Sequence, residues 1–450
     1  MCKFKTIIIE NISDNYVRDY FNCSERQKTY WESYDYHYGN RDLFFEGDNK
    51  VIISLVPMDP LYIKNSCEIL AWNNILNLFP KNKSLSLTTD IITDEYLNIK
   101  VIEIIKNNPG INIIPLRQSK EFYVLINYLK EKGLIFTISE MLPNEVEFFR
   151  DYYDSKIGFR TLSYETLSLN SIPVQIPEGY IASNINEIKQ QIEYLYLKNK
   201  DFVIKGNVGS QGDSVLIFNK QAKPVEKEAY IDSVLEKCKP LFINNSNFVV
   251  EEFIETKEPK LYNFPSLNCY ISNLGKVEFR YIGYQFFKED TNAYIGSYFC
   301  PKIKKDSAVK KAKKFAMNFG EVLSSYGYRG YVNIDVVKAR DNKVFALEAN
   351  IRRGGAAYFY GIMYELYGKD YYNLTHSLCI ELKPKNPIKT NYASFLKDFE
   401  DIIYTKEKNV GIILVSPDLI PEGMFTMVLI HKNKKKLFKL LEEVKKRTSL

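Results

Sequence analysis

Apolar and polar positions in the first third of the chain alternate between short hydrophobic runs and helical periods. Residues 51–56 (VIISLV) are almost continuously apolar, end in Pro57-Met58-Asp59 and read as a strand buried on both faces. A helical pattern follows over residues 62–78. Further strands are expected at 85–88, 111–114 and 134–138, separated by helix-like segments at 95–106 and 120–131. Strand alternating with helix implies a parallel sheet with helices on its faces. No glycine fingerprint for a dinucleotide occurs there, which leaves this region an acceptor-side or structural role. Residues 1–45 are rich in aromatics, with Tyr30, Trp31, Tyr34, Tyr36 and Tyr38 clustered, as a packed extension or as an aromatic substrate cage.

The pattern changes beyond residue 200. Residues 201–219, DFVIKGNVGSQGDSVLIFN, are two short apolar runs joined by a glycine-bearing loop. Lys205 opens the loop, and Gly209, Ser210 and Gly212 place backbone amides where phosphate oxygens could approach. A plain flexible turn is the other reading. Residues 248–258, FVVEEFIETKE, form a buried-type strand that ends in acids. Near the C-terminus, strands at 411–416 and 424–430 and a helix at 435–446 make a closing αβ element.

Residues 331–355, YVNIDVVKARDNKVFALEANIRRGG, bring together two carboxylates, an amide and two guanidiniums. Strand-like runs at 331–340 and 343–351 flank Asp341-Asn342, a pair suited to a two-residue hairpin loop. That register sets Val332 opposite Ile351, Ile334 opposite Ala349 and Val336 opposite Leu347, an apolar face for a core. On the other face Asn333 opposes Asn350 and Asp335 opposes Glu348, with Cβ atoms roughly 5 Å apart. Like charges so placed repel. An all-oxygen set of Asp335, Glu348 and Asn350 suits Mg²⁺ or Mn²⁺ better than zinc. The bland alternative is a solvated ribbon face with no role.

Taken in order, the Lys205 loop, the acid-ended strand and the Asp335, Glu348, Asn350 set followed by Arg352 resemble the ATP-grasp superfamily. The resemblance implies that the segment of Glu251, Glu252, Phe253 and Ile254 presents backbone groups to adenine and that Glu251 opens the hinge. It also implies that Glu258, seven positions on, binds ribose. A further match is DSKIGFR at residues 154–160, ahead of a helix, with Ile172-Pro173 and Pro177-Glu178-Gly179 beyond it. The family commonly places a phosphate-binding lysine here, and Lys156 is the candidate, with a surface lysine as the alternative. Pro265 to Asn268, Tyr284-Gln285, Gly296-Ser297 before Pro301, and the Arg-x-Gly-Gly segment look closest to the carboxylate-amine ligases of the pheganomycin peptide-ligase type.

The resemblance implies an α/β and α+β multidomain architecture. Residues 1–153 would be a Rossmann-like pre-ATP-grasp domain, and residues 154–380 an ATP-grasp fold of two α+β subdomains clasping ATP. Within it the nucleotide lid would span about 180–255 and the metal-binding subdomain about 256–380. Residues 381–450 would be a C-terminal αβ extension, which in related ligases covers the active site or joins subunits. One departure stands out: Ala356-Ala357-Tyr358 replaces an expected Thr-His-Pro, removing a hydroxyl and an imidazole from the acceptor side.

Composition narrows the field without deciding it. With 450 residues and 45% hydrophobic content the chain can bury two or three cores. A net charge of +6 is too diffuse to argue for nucleic acid, and the basic clusters read as solvated helix faces. Seven scattered cysteines without a Cys-x-x-Cys pair read as a reducing, cytoplasmic compartment, and no apolar stretch is long enough to span a bilayer. Three isolated histidines, His37, His376 and His431, give a histidine metal site or a serine–histidine triad little to build on.

The expected activity is therefore an ATP-dependent ligase using Mg²⁺ or Mn²⁺, joining a small-molecule carboxylate to an amine or peptide through an acylphosphate. Arg352 would bind the substrate carboxylate and the later oxyanion, Lys205 and Lys156 would neutralise phosphates, and Arg353 would point elsewhere. Peptide-like natural-product assembly is what the resemblance implies, and homo-oligomerisation stays open. Two rivals remain: an ATP-grasp kinase acting on a hydroxyl, and a catalytically silent ATP-binding module.

Overall fold

The computed structural model describes all residues except 1–2, 16–24, 31–38, 170, 208–213, 220–225, 245, 289–292, 384–389, 422 and 449–450. Gly209, Ser210 and Gly212, and the aromatic cluster from Trp31 to Tyr38, lie outside the described residues.

Five strands form the N-terminal sheet: β1 (Thr6–Ile9), β2 (Lys50–Ile53), β3 (Ile75–Leu78), β4 (Ile111–Pro115) and β5 (Phe136–Ile138). All pair in parallel in the order β3-β2-β1-β4-β5. β1 and β2 are buried along their whole length, which is why both read as unbroken apolar runs. The helix expected over 62–78 is shorter, Pro60–Leu70. Ala71 stops it in a left-handed conformation (φ 58°), and Ile75–Leu78 then forms β3, a switch that apolar content alone does not mark. Residues 85–88 are not a strand. Ser86 caps a helix, Leu87–Thr93, by accepting from the Thr89 N–H.

The sheet changes direction between β1 and β4, where open α/β sheets usually bind ligands. Here the chain fills that place itself. Asp14 is buried and accepts hydrogen bonds from Ser86, Thr88, Ser119 and Asn11 at 2.6–2.8 Å. The missing glycine fingerprint has this structural counterpart.

A smaller antiparallel sheet, β6 (Gly179–Ala182), β9 (Phe248–Glu252), β7 (Phe202–Gly206) and β8 (Val215–Phe218), carries the helices Ile185–Leu197 and Lys227–Asn244 around its own core. The third sheet has eight strands: β14 (Val344–Asn350), β13 (Gly330–Lys338), β10 (Pro265–Ile271), β11 (Val277–Phe287), β12 (Tyr294–Phe299), β15 (His376–Leu382), β17 (Phe425–His431) and β16 (Gly411–Leu414), in that order. The boundary drawn at residue 380 thus falls inside β15, and the C-terminal strands extend the same sheet. The helix Ser307–Ser325 covers one face of the sheet through Phe315, Ala316 and Phe319. The opposite face carries the polar residues Ser266, Asn268, Asn333 and Asp335.

The hairpin of β13 and β14 has the expected pairs Asn333–Asn350, Ile334–Ala349 and Asp335–Glu348. Beyond them the register shifts, so Val336 faces Ala346 and not Leu347. The turn is also one residue longer than expected. Ala339 N–H donates to Lys343 C=O and Asn342 takes φ 67°, a three-residue loop with its last residue left-handed. The longer turn and the bulge offset each other and leave the acidic pair in register.

The helix Lys156–Leu169 starts at the edge of this site. Its first two N–H groups, on Lys156 and Ile157, donate to the backbone C=O and the Oδ1 of Asn207, just past β7. A Cβ on Gly158 would lie 1.8 Å from the Tyr152 carbonyl oxygen. Gly158→Ala should therefore destabilise the protein by about 3 kcal/mol, as overpacking against rigid backbone does. Urea denaturation with an unchanged midpoint would contradict the close approach.

Candidate active site

Along the polar face, residues two apart on each strand form rungs spaced about 7 Å. The first rung is apolar: Val337, Phe345 and Leu347 cluster with Ile254 and Phe264. Asp335 and Glu348 with Ser266 make the second. Asn333, Asn350 and Asn268 make the third, and Tyr270 and Tyr331 the fourth.

The acidic rung is tightly held. Asn333 Nδ2 donates to Asp335 Oδ1 at 3.0 Å, and Ser266 Oγ donates to Asn333 Oδ1 at 3.2 Å. Burial, and then the Glu348 carboxylate, push Asp335 up to about 7. For Glu348 burial acts upward too, but the Lys156 and Lys205 ammoniums outweigh it and hold the group below the usual carboxylate range. Lys156 Nζ donates directly to Glu348 Oε2. Lys205 is buried, lies 2.5 Å from Glu251 Oε1 and reaches the Leu347 carbonyl at 3.5 Å.

Glu251 is placed differently from a residue that meets a base. It is buried in β9 and bonds Arg160 Nη1 at 2.9 Å as well as Lys205. Arg160 also donates to the Pro177 and Gly179 carbonyls, tying the helix Lys156–Leu169 to β6. Sequence reading quoted Arg160 but gave it no role. Its position one helical turn after Lys156 was the available signal.

A cleft of about 820 Å³ opens beside the apolar rung, walled by Ile176, Lys200, Glu252, Phe253, Ile254 and Phe345. Glu252 N–H donates to Glu178 C=O and Phe253 N–H to Asp201 C=O, so those two groups are taken. The Ile254 N–H has no backbone partner among the described residues. Lys200 bridges Glu178 and Glu252 at 2.8 and 2.6 Å. Glu258 is exposed, accepts from the Lys260 N–H and does not line the cleft, whereas Glu255 does.

The two arginines diverge. Arg352 donates to Asn350 Oδ1 at 2.8 Å, and its Nε lies 3.7 Å from Asp154 Oδ2. Asp154 Oδ1 in turn accepts from the Ile351 N–H at 2.6 Å. Arg353 is buried the other way, bonded to Glu140, 3.5 Å from Glu46 and 4.1 Å from the Tyr331 ring centroid. Ala356 and Ala357 are buried at the start of the helix Ala357–Tyr367.

Among the described residues no group of three or more His, Cys, Asp or Glu side chains converges as a metal cage. Asp335 and Glu348 face each other across the hairpin, Asp335 pushed up by burial and then by Glu348, and Asn350 lies one rung on with its Oδ1 accepting from Arg352. This donor set fits Mg²⁺, which binds through one or two carboxylates and completes its octahedron with water and substrate phosphates.

Scanned against protein-family models the sequence matches none, and no curated protein matches it. Solved structures do. N5-carboxyaminoimidazole synthetase from Staphylococcus aureus, complexed with ADP, is similar at TM-score 0.53 and 10% identity, over 99% of this chain and 98% of that one. The Campylobacter jejuni biotin carboxylase complex with β,γ-ATP gives 0.56 and 10%, over 98% and 92%. The biotin carboxylase domain of Hydrogenobacter thermophilus 2-oxoglutarate carboxylase, with MgADP and bicarbonate, gives 0.52 and 11%, over 98% and 90%. These are ATP-grasp proteins. This chain has the ATP-grasp fold. At such identity the likeness is one of fold, and here the four-stranded sheet meets the large sheet where Lys205 reaches the Leu347 carbonyl.

The shift on Asp335 has a measurable sign. Between its unfolded value near 4 and about 7 in the folded chain, the unfolded state binds fewer protons, so this group's contribution to stability falls as pH rises. In EDTA, Asp335→Asn should gain stability relative to wild type between pH 4.5 and 8. An equal difference at both pH values would contradict the assignment.

Proposed function

We propose that the protein is an ATP-dependent ligase that joins a carboxylate to an amine, releasing ADP and phosphate. The observation that carries this reading is the Asp335–Glu348 pair, held by the Lys156 and Lys205 ammoniums and one rung of the sheet away from a cleft walled by Ile254 and Phe345. A nucleotide base would lie against Ile254 and Phe345, with the Ile254 N–H available to its edge and Glu255 at the wall for ribose. Its phosphates would then reach the two lysines, which exchange their carboxylate partners for phosphate oxygens. Asp335, Glu348 and the Asn350 amide would hold Mg²⁺ or Mn²⁺, which supplies charge neutralisation of the phosphates when bound.

The chemistry proceeds in two displacements. A substrate carboxylate oxygen attacks the γ-phosphorus, the bond to the β-phosphate bridging oxygen breaks, and ADP leaves. An amine then attacks the acyl carbon, phosphate departs with the bonding pair, and the surplus amine proton passes to phosphate or solvent. Arg352, anchored by Asn350 and Asp154, orients the carboxylate and meets the charge of the tetrahedral intermediate with a planar pair of donors. N5-carboxyaminoimidazole synthetase with ADP and the biotin carboxylase domain with MgADP and bicarbonate are similar in fold, which supports the ADP-forming class. A peptide-like substrate is the finer part of the proposal.

Incubation with ATP, Mg²⁺, pooled carboxylates and hydroxylamine should yield ADP and a hydroxamate. AMP in place of ADP would reject the mechanism, a stable phosphoester would mean a kinase, and tight ATP binding without turnover would mean a silent module. Arg352→Ala should lower turnover by about two to three decades with ATP affinity nearly unchanged. Glu348→Gln should abolish Mg²⁺-dependent nucleotide binding in calorimetry while the fold persists, and unaltered binding would remove Glu348 from the metal site.

A further inference from the structure

Glu251 in β9 is buried, and each of its carboxylate oxygens has a cation of its own. Oε1 meets Lys205 Nζ at 2.5 Å, and Oε2 accepts from Arg160 Nη1 at 2.9 Å. β6 closes over the group so tightly that a Cβ on Gly179 would lie 2.4 Å from the Glu251 Cβ. The next residue, Glu252, turns to Lys200 and takes no part. One buried carboxylate thus holds two cations, where a single one would balance its charge.

The two cations are held very differently. Arg160 is itself buried, and besides Glu251 it donates to the Pro177 carbonyl at 2.6 Å, the Gly179 carbonyl at 2.9 Å and the Tyr164 hydroxyl at 3.0 Å. Moving it would leave those carbonyls unpaired. Lys205 has Glu251 and one long contact, 3.5 Å to the Leu347 carbonyl, at the end of a flexible four-carbon stem. The helix Lys156–Leu169 shows the same division one turn apart: Lys156 reaches out to Glu348, while Arg160 is locked in place.

We propose that Arg160 is a positioning residue that frees Lys205 for phosphate, because its fixed charge neutralises Glu251 whether or not the lysine stays. The proposal rests on the nucleotide-binding part of the reading above and assigns the control of one of its phosphate ligands. Removing one partner of a buried ion pair is costly because the other charge is left uncompensated. Without Arg160 that cost would fall on the nucleotide, since Lys205 would be the sole cation bonded to Glu251 among the described residues. With Arg160 present, Lys205 changes partners and Glu251 remains paired. A guanidinium suits this task, since its planar fork serves a carboxylate and two carbonyls together, and its charge is permanent.

The test compares two probes by calorimetry, the Mg²⁺ complex of β,γ-imido-ATP and adenosine. The ratio of their affinities measures what the phosphates contribute. Arg160→Gln should lower that ratio by about tenfold or more while adenosine binds within about twofold of wild type. This variant should fold, because Lys205 still pairs with Glu251 in the empty site. Adding Glu251→Gln should restore the ratio to within about threefold of wild type, since no carboxylate then retains the lysine. A merely structural arginine would show no such rescue. An unchanged ratio in Arg160→Gln, an equal loss for adenosine, or a double variant as weak as the single one would each overturn the role. Should Arg160→Gln not fold, the double variant decides alone: a ratio near wild type supports the role, and a tenfold loss overturns it. Failure of the two proposals is separable. An Arg160-dependent phosphate contribution in a protein that forms no ADP would reject the ligase and leave Arg160 its role, whereas hydroxamate formation with an unchanged ratio in Arg160→Gln would do the reverse.

Discussion

Two carboxylates that face each other across a hairpin, one buried and one half-buried, within mutual hydrogen-bonding reach, cannot both be charged without help from outside the ribbon. Asp335 and Glu348 impose that condition on everything around them. The help comes from two separate stretches of chain, Lys156 on a helix and Lys205 from the end of β7, while Asn333 adds a hydrogen bond from two residues earlier on the same strand. Each cation needs a fixed base of its own. Glu251 secures Lys205, Asn207 caps the helix that carries Lys156, and Arg160 pins that helix to the four-stranded sheet.

The consequence is a site in which the four-stranded sheet is joined to the large sheet through charge rather than through a shared apolar core, while the helix packs Phe159 and Leu162 into the large sheet's cluster. The four-stranded sheet keeps its own hydrophobic cluster, separate from the large one. Contacts between charged groups exchange partners more readily than packed side chains do, because a phosphate or a metal ion can replace either member. Arg352 and Arg353 divide a related task. Arg353, sunk between Glu140 and the Tyr331 ring, fixes the backbone from which the more exposed Arg352 reaches Asn350 and Asp154.

Much of this was legible in the sequence, but not always by the right route. The Asp335–Glu348 pairing follows from hydrophobic alternation, yet the assumed two-residue turn and even register were both wrong, and the two errors cancel. Parallel strands in the first domain were visible because burial on both faces leaves a continuous apolar run. The switch from helix to β3 at Ala71 was hidden, since Ile75 and Leu78 suit either state. Glu251 was recognised as important from its place at a strand end, but its partners Arg160 and Lys205 are distant in sequence, and no local pattern shows that it faces inward.

The bulge at Leu347 separates the geometry of the hairpin tip from that of its base. Everything past it toward residues 339–343 can lengthen or shorten by a residue, with the shift taken up at the bulge, while Asp335 still meets Glu348. The ribbon thus behaves as a slip joint. Its tip forms one wall of the cleft, and the acidic rung beneath is insulated from the register of that tip.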